Sequence, residues 1–327
     1  TTAANAPLGR GLFSPGSLGL LLGLPAALVA VSGQSLWIDE ANAAVKAIAP
    51  TWSIFWKTMQ TERGSDLQMP LYMLMLWGWE KIFGHSEFAL RALNIPLFVI
   101  ALAVLGTLPR MAKPTRLFAI LFACTSPFLW AYLDEARPYI LQFLAATAAL
   151  VPLTNLCLGS NPPQTRDLAV FTLGIVLLCA SSLIGVIYSL LFGTTFLLLW
   201  VRREPWRSIL ARRDLQVSAV VGGIFLALLA AYYAWTLQAG AKASGVAKTN
   251  VFSIGFALYE FLGFSGLGPS RSVLRDNPIT ALAPHLAILA GYVAVWALFL
   301  VFALLGTHSL GLGKVMPLVL AAAASFV

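Results

Sequence analysis

The sequence predicts an all-α polytopic membrane protein, and three observations carry that expectation. Hydrophobic residues make up 59% of the 327 and mean hydropathy is +0.83, above the roughly 45–50% apolar share of a soluble domain. Several apolar runs approach the ~20 residues a helix needs to cross a bilayer. Charged residues are 10% of the chain, too few to build a soluble domain between spans. The runs are continuous rather than alternating, which argues against a β-barrel. The net charge of +8 collects in loops between the runs, the pattern of the positive-inside rule and not of a nucleic-acid surface.

The elements follow in order within one transmembrane unit, 1–327. Residues 1–13 are polar to mixed and belong on the cytoplasmic side. A first span covers about Leu18–Val31, with Pro25 inside it as a bend. It lacks a small-residue cleavage pattern and reads as a retained span. Residues 35–87 form the first external loop. Trp37, Trp52 and Trp56 there predict helices lying along the headgroup layer. Pro70–Phe83 is apolar, yet fourteen residues make a helix of only ~21 Å. Placing it at the interface puts the basic loops Pro109–Arg116 and Val201–Asp214 on the cytoplasmic side together.

Further spans are expected at 88–108, 117–133 and 138–157. The stretch 168–200 makes two more, turning near Ser181–Ser182, and 215–236 and 284–305 follow. Between the last two lies a second external segment, 237–280. The chain begins without Met and ends in an apolar run at Val327, so further sequence is expected. Cys124, Cys157 and Cys179 lie in or beside spans with no C-x-x-C pair, and read as small hydrophobes in packed helices.

In a chain so short of charge, polar chemistry points first to Trp37-Ile38-Asp39-Glu40 at the mouth of the first span, where adjacent carboxylates read as a general base, a metal ligand or a solvated loop. Low dielectric at a span end raises a carboxylate's pKa toward useful values. In the expected topology Asp134-Glu135-Ala136-Arg137 falls on the same face. Asp134 and Arg137, three apart, have the spacing of an intrahelical ion pair. Alternatively, Arg137 offers its planar fork to a phosphate, oriented by Glu135 or Asp134. Glu87 and Arg91, spaced i,i+4, read mainly as a helix pair.

Five segments taken together resemble a known family. They are Ser35-Leu36-Trp37-Ile38-Asp39-Glu40; Pro70-Leu71-Tyr72; Phe83-Gly84-His85-Ser86-Glu87-Phe88-Ala89-Leu90-Arg91; Ser126-Pro127-Phe128; and Glu135-Ala136-Arg137-Pro138-Tyr139. The series, within about residues 15–200, resembles the polyprenyl-phosphate-sugar glycosyltransferases of the C-type membrane fold. These are the bacterial relatives of protein O-mannosyltransferases and of the lipid A aminoarabinose transferase.

The resemblance implies a C-type glycosyltransferase fold, with interfacial helices in the first external loop, in a bacterial inner membrane. The active site would face the extracytoplasmic side. The donor would be a sugar on a polyprenyl phosphate, and the acceptor a lipid, glycan or protein hydroxyl. By that match Asp39 is the general base and Glu40 its support. Arg137 holds the donor phosphate, and Glu135 orients Arg137 or the acceptor, with Tyr139 beside them.

Gln68-Met69-Pro70 departs from the family's His-Pro-Pro or Lys-Pro-Pro. The change removes one metal ligand or cation, though Gln68 keeps the capacity to hydrogen-bond the donor. No cofactor is firmly implied, and a divalent metal stays open. Arg271 and Arg275 are further candidates for the phosphate, or a solvated basic loop. Asp134 stands where Gln is common, to bind the acceptor or pair with Arg137. A transporter or flippase for a lipid-linked or anionic substrate is the rival from another class, and an inactive membrane scaffold is a third.

Overall fold

The computed structural model describes residues 14–62, 64–238 and 278–310, with isolated positions between 255 and 274. All regular structure in them is helical. The first part of the chain forms α1 (Pro15–Ala30), α2 (Ile38–Ala47), α3 (Trp52–Glu62), a 3-10 turn at Ser65–Gln68, α4 (Pro70–Phe83), α5 (Glu87–Arg91) and α6 (Asn94–Gly106). There follow α7 (Lys113–Thr125), α8 (Pro127–Leu133), α9 (Tyr139–Leu158), α10 (Thr165–Ser181), α11 (Leu183–Val201), α12 (Trp206–Ala211) and α13 (Arg213–Gln238). Last come α14 (Pro278–Leu282) and α15 (Leu286–Leu310).

Five stretches among the described residues are long and apolar enough to cross a membrane: Glu87–Gly106, Tyr139–Leu158, Leu183–Val201, Arg213–Gln238 and Thr280–Leu298. The chain is a multi-pass α-helical membrane protein. Helix α1 is apolar but has 16 residues, about 24 Å, so its described part falls short of a ~30 Å hydrocarbon core. The expected turn at Ser181–Ser182 is present. Ser182 leaves the helical conformation, and its Oγ accepts from Gly185 N at 3.4 Å to start α11.

The span expected at 117–133 is present as a bent pair of helices. Helices α7 and α8 meet at Ser126 with a bend of 58°. The cause is local: Pro127 in the first turn of α8 has no N–H to continue the ladder, and Ser126 Oγ caps Leu129 N at 3.4 Å.

The packing centre is α9, flanked by α10 and α6, with α1 laid against α6. That last contact is backbone on backbone. A Cβ on Gly19 would stand 2.6 Å from the Leu102 carbonyl oxygen, and one on Gly106 2.5 Å from Gly16 N. Small residues let helices approach this closely in apolar surroundings, where dispersion does the work that water exclusion does elsewhere.

The expected loop 35–87 contains α2, α3 and α4. Helix α3 buries Phe55 and Met59 while Trp52 and Ile54 stay exposed, as suits a helix lying at an interface. Helix α4 buries Tyr72, Met73 and Leu76. Its tryptophans tie it to its neighbours, Trp77 Nε1–H to the Ala49 carbonyl at 3.0 Å and Trp79 Nε1–H to that of Ala89 at 2.8 Å.

Candidate active site

Glu40 and Asp39 are adjacent in the first turn of α2, so their side chains diverge by about 100° around the helix axis. Glu40 points inward and is fully buried. Its carboxylate takes Arg91 as a two-pronged pair, Nε to Oε1 at 3.0 Å and Nη2 to Oε2 at 2.8 Å. It also accepts from Ala136 N at 2.7 Å and Trp37 N at 3.3 Å. Arg91 Nη1 meanwhile donates to the carbonyls of Ser32 and Gln34, at 3.2 and 2.7 Å. One ion pair thus joins the exit of α1, the start of α2, α5 and the turn before α9.

The turn 134–138 is held from two further sides. Asp134 accepts from Ser32 N at 2.5 Å and from Ser32 Oγ at 2.8 Å. Buried Asn94 donates its amide to the carbonyls of Tyr132, Leu133 and Glu135, the last at 2.6 Å. Tyr72 hydroxyl donates to Asn94 Oδ1 at 3.3 Å. Burial first, then the Glu40 charge, push the Tyr72 hydroxyl far above its ordinary pKa, so it stays protonated as that donor.

A second ion-pair system lies beside the first. Asp66, in the 3-10 turn, is buried between Lys46 Nζ at 2.6 Å and Arg137 Nη1 at 3.0 Å, and Lys46 also meets Glu62 at 3.3 Å. Arg137 is 8% exposed, yet its Nε has no hydrogen-bond partner. Its Nη2 reaches Ser65 Oγ at a marginal 3.5 Å. Nε and Nη2 form the side edge of the guanidinium, the one that grips a carboxylate or phosphate with two parallel bonds. On Arg91 that edge is filled by Glu40, whereas on Arg137 it is open at Nε.

Asp39 is half-exposed, and no hydrogen bond or ion pair to it is found among the described residues. Tyr139 opens α9 directly after this turn, within reach of the Arg137 side chain. The Tyr139 ring packs on Tyr132 with centroids 4.2 Å apart. Gln68 and Glu135 are half-buried, Gln68 in the same turn as Asp66. Arg271 and Arg275 lie outside the described residues. No group of three His, Cys, Asp or Glu side chains gathers as metal ligands among the described residues.

An apolar cleft of 340 Å³ opens nearby between α3, α4, α10 and α13, lined by Trp52, Trp56, Leu74, Val176, Phe225 and Tyr232 among others. Tyr232 hydroxyl donates to the Leu67 carbonyl at 2.9 Å, which joins the cleft wall to the residue after Asp66.

Two expected ion pairs are corrected. Asp134 and Arg137 do not pair within a helix, because 134–138 is a turn. Pro138 disfavours helical geometry at Arg137, and the two side chains go to Ser32 and Asp66. Arg91 pairs with Glu40, 51 positions away, and not with Glu87, which is exposed. Sequence reasoning missed Asp66, Lys46 and Asn94. The signal for Asp66 was a lone acid four residues before the Pro70-Leu71-Tyr72 segment. Comparison with known proteins adds no assignment, since no family model, curated protein or solved structure matches the chain.

Proposed function

We propose that this protein is an integral-membrane glycosyltransferase of the C-type fold. It would move a sugar from a polyprenyl-phosphate donor to an acceptor hydroxyl on the extracytoplasmic face of a bacterial inner membrane. The observation that carries this reading is the unpartnered Nε of buried Arg137, together with an Asp39 that has no hydrogen bond or ion pair among the described residues. A guanidinium with spare donors in a low-dielectric site calls for an anion. The carboxylate left free beside it can accept a proton.

In the proposed reaction the donor phosphate binds the open edge of Arg137, with its isoprenoid chain in the apolar cleft beside α3. Asp39 takes the proton of the acceptor hydroxyl as that oxygen attacks the anomeric carbon from the face opposite the phosphate. The anomeric C–O bond to phosphate breaks, its electron pair leaves on the phosphate oxygen, and the configuration inverts. Arg137 stabilises the charge that develops there, through an oxocarbenium-like transition state. Glu40 is committed to Arg91 and to Ala136 N, so it holds Asp39's helix in place and moves no proton. Glu135 and Gln68 stand ready to orient donor or acceptor. The run of family-like segments listed by residue above supports the same reading.

A transporter or flippase is the second reading, favoured by the broken α7–α8 pair, since transport sites are built at interrupted helices. Against it, the charged groups gather at helix ends, and Pro127 accounts for the break. The test uses the full-length protein in nanodiscs with a panel of polyprenyl-phosphate sugars and a crude lipid and cell-wall extract. Release of free polyprenyl phosphate by the wild type, lost by roughly 10²–10⁴-fold in Asp39→Asn and similarly in Arg137→Ala, is the expected result. Donor binding without turnover, or turnover that survives Asp39→Asn, overturns it.

A further inference from the structure

The opposite end of the helices carries a separate feature. Loop 201–214, between α11 and α13, holds Arg202, Arg203, Arg207, Arg212 and Arg213 against Glu204 and Asp214. Both acids are used internally. Arg212 grips Asp214 at 2.6 Å and approaches Glu204 at 3.9 Å, and Glu204 also accepts from Trp200 Nε1 at 2.8 Å. Arg203 is turned to the carbonyls of Gly159 and Cys157. Arg202, Arg207 and Arg213 are exposed, and no carboxylate among the described residues pairs with them. The loop therefore presents three uncompensated positive charges.

Beside them runs a groove. Helices α11 and α13 both pack on α10 and leave a cleft of 320 Å³, lined by Phe171, Phe196, Trp200, Leu215, Gly222 and Leu226 among others. From Leu215 to Leu226 it follows α13 for about 16 Å, half of a ~30 Å hydrocarbon core. That is the depth of one leaflet. An apolar cleft of that length and lining takes a single extended chain. Trp206 and Leu210 on α12 are exposed at the groove's basic end, as interfacial anchors are. Helix α15 lies elsewhere, with Trp296 edge-on to Phe122 of α7 at 5.5 Å.

We propose that this groove binds one acyl chain of an anionic glycerophospholipid from the leaflet on the basic side, its headgroup phosphate held among Arg202, Arg207 and Arg213. Charge selects the headgroup, and the groove's length and apolar lining select a chain. The inference involves neither Asp39 nor Arg137, so it stands or falls apart from the transferase reading.

The test is native mass spectrometry of the full chain released from micelles doped equally with phosphatidylglycerol and phosphatidylcholine. The wild type is expected to retain phosphatidylglycerol preferentially. Arg207→Gln with Arg213→Gln should cut that preference by about tenfold, since each arginine near an anionic headgroup contributes a modest attraction. Gly193→Leu with Gly223→Leu should abolish retention of both lipids. Both glycines line the groove, and a Cβ on either meets open space, so the filling leaves helix packing intact, to be checked by an unchanged thermal melt. Equal retention of the two lipids by the wild type overturns the proposal. So does retention that survives groove filling, or a doubled protein mass that groove filling removes, which would make a second copy the occupant.

Discussion

Arg91 and Arg137 are both buried guanidiniums facing a buried carboxylate, and they differ in which edge is used. Arg91 gives its Nε–Nη2 edge to Glu40 and its remaining Nη1 to two backbone carbonyls. Arg137 gives Nη1 to Asp66, reaches Ser65 only marginally through Nη2 and leaves Nε without a partner. The first arrangement is saturated, so its free energy is spent within the protein. The second leaves a buried donor unsatisfied, at a cost of about 1–3 kcal/mol, which an incoming anion would offset. Strain of this kind is tolerated where something binds.

The contrast can be broken in four ways. Glu40→Gln leaves buried Arg91 with Asp134, 3.8 Å away, as its nearest counter-ion, and should lower stability by about 3 kcal/mol, seen as a fall in Tm in detergent. Arg137→Lys keeps the charge on Asp66 but removes the fork. Release of polyprenyl phosphate should drop by roughly 10²-fold with Tm unchanged, and an equal loss of Tm would erase the distinction between the two sites. Asn94→Leu strips three carbonyls of the 132–135 turn of their donor and should cost about 1–3 kcal/mol, read from the same melts. Trp79→Phe gives up a single hydrogen bond, to the Ala89 carbonyl, for about 0.5–1.5 kcal/mol. It sets the baseline for a polar contact that involves neither guanidinium.

Much of the membrane architecture was legible in the sequence, because a helix that crosses hydrocarbon must be apolar along its whole length and leaves a run that can be counted. The side-chain pairings were not. Local spacing offered Asp134–Arg137 and Glu87–Arg91, but the partners that won lie far off in the chain, Glu40 for Arg91 across 51 positions and Asp66 for Arg137 across 71. Burial decided between them: an exposed i,i+4 pair is worth a few tenths of a kcal/mol, while a buried, multiply bonded one excludes alternatives. The segments 35–40 and 134–139 were each suspected, and the structure joins them through Glu40 and Ala136 N, while Asp66, two residues before the suspected Gln68, was not. What sequence could not separate was the division of labour between Asp39 and Glu40, since adjacency in a string says nothing of which side chain faces inward. The bend at Ser126 has its sign in Ser126-Pro127, inside the apolar run 117–133.

The network around Glu40 also sets an order of assembly. Glu40 leaves the ribosome 51 residues ahead of Arg91 and 96 ahead of Ala136. Until α5 is made, its carboxylate has only Trp37 N and water as donors, and until α7 and α8 are placed, its second backbone donor is missing. Helix α2 must therefore wait at the wet surface, and closing the site is a late event in biogenesis. A chain whose insertion stalls between α6 and α8 would hold a solvated Glu40, and quality control could read that hydration as unfinished work.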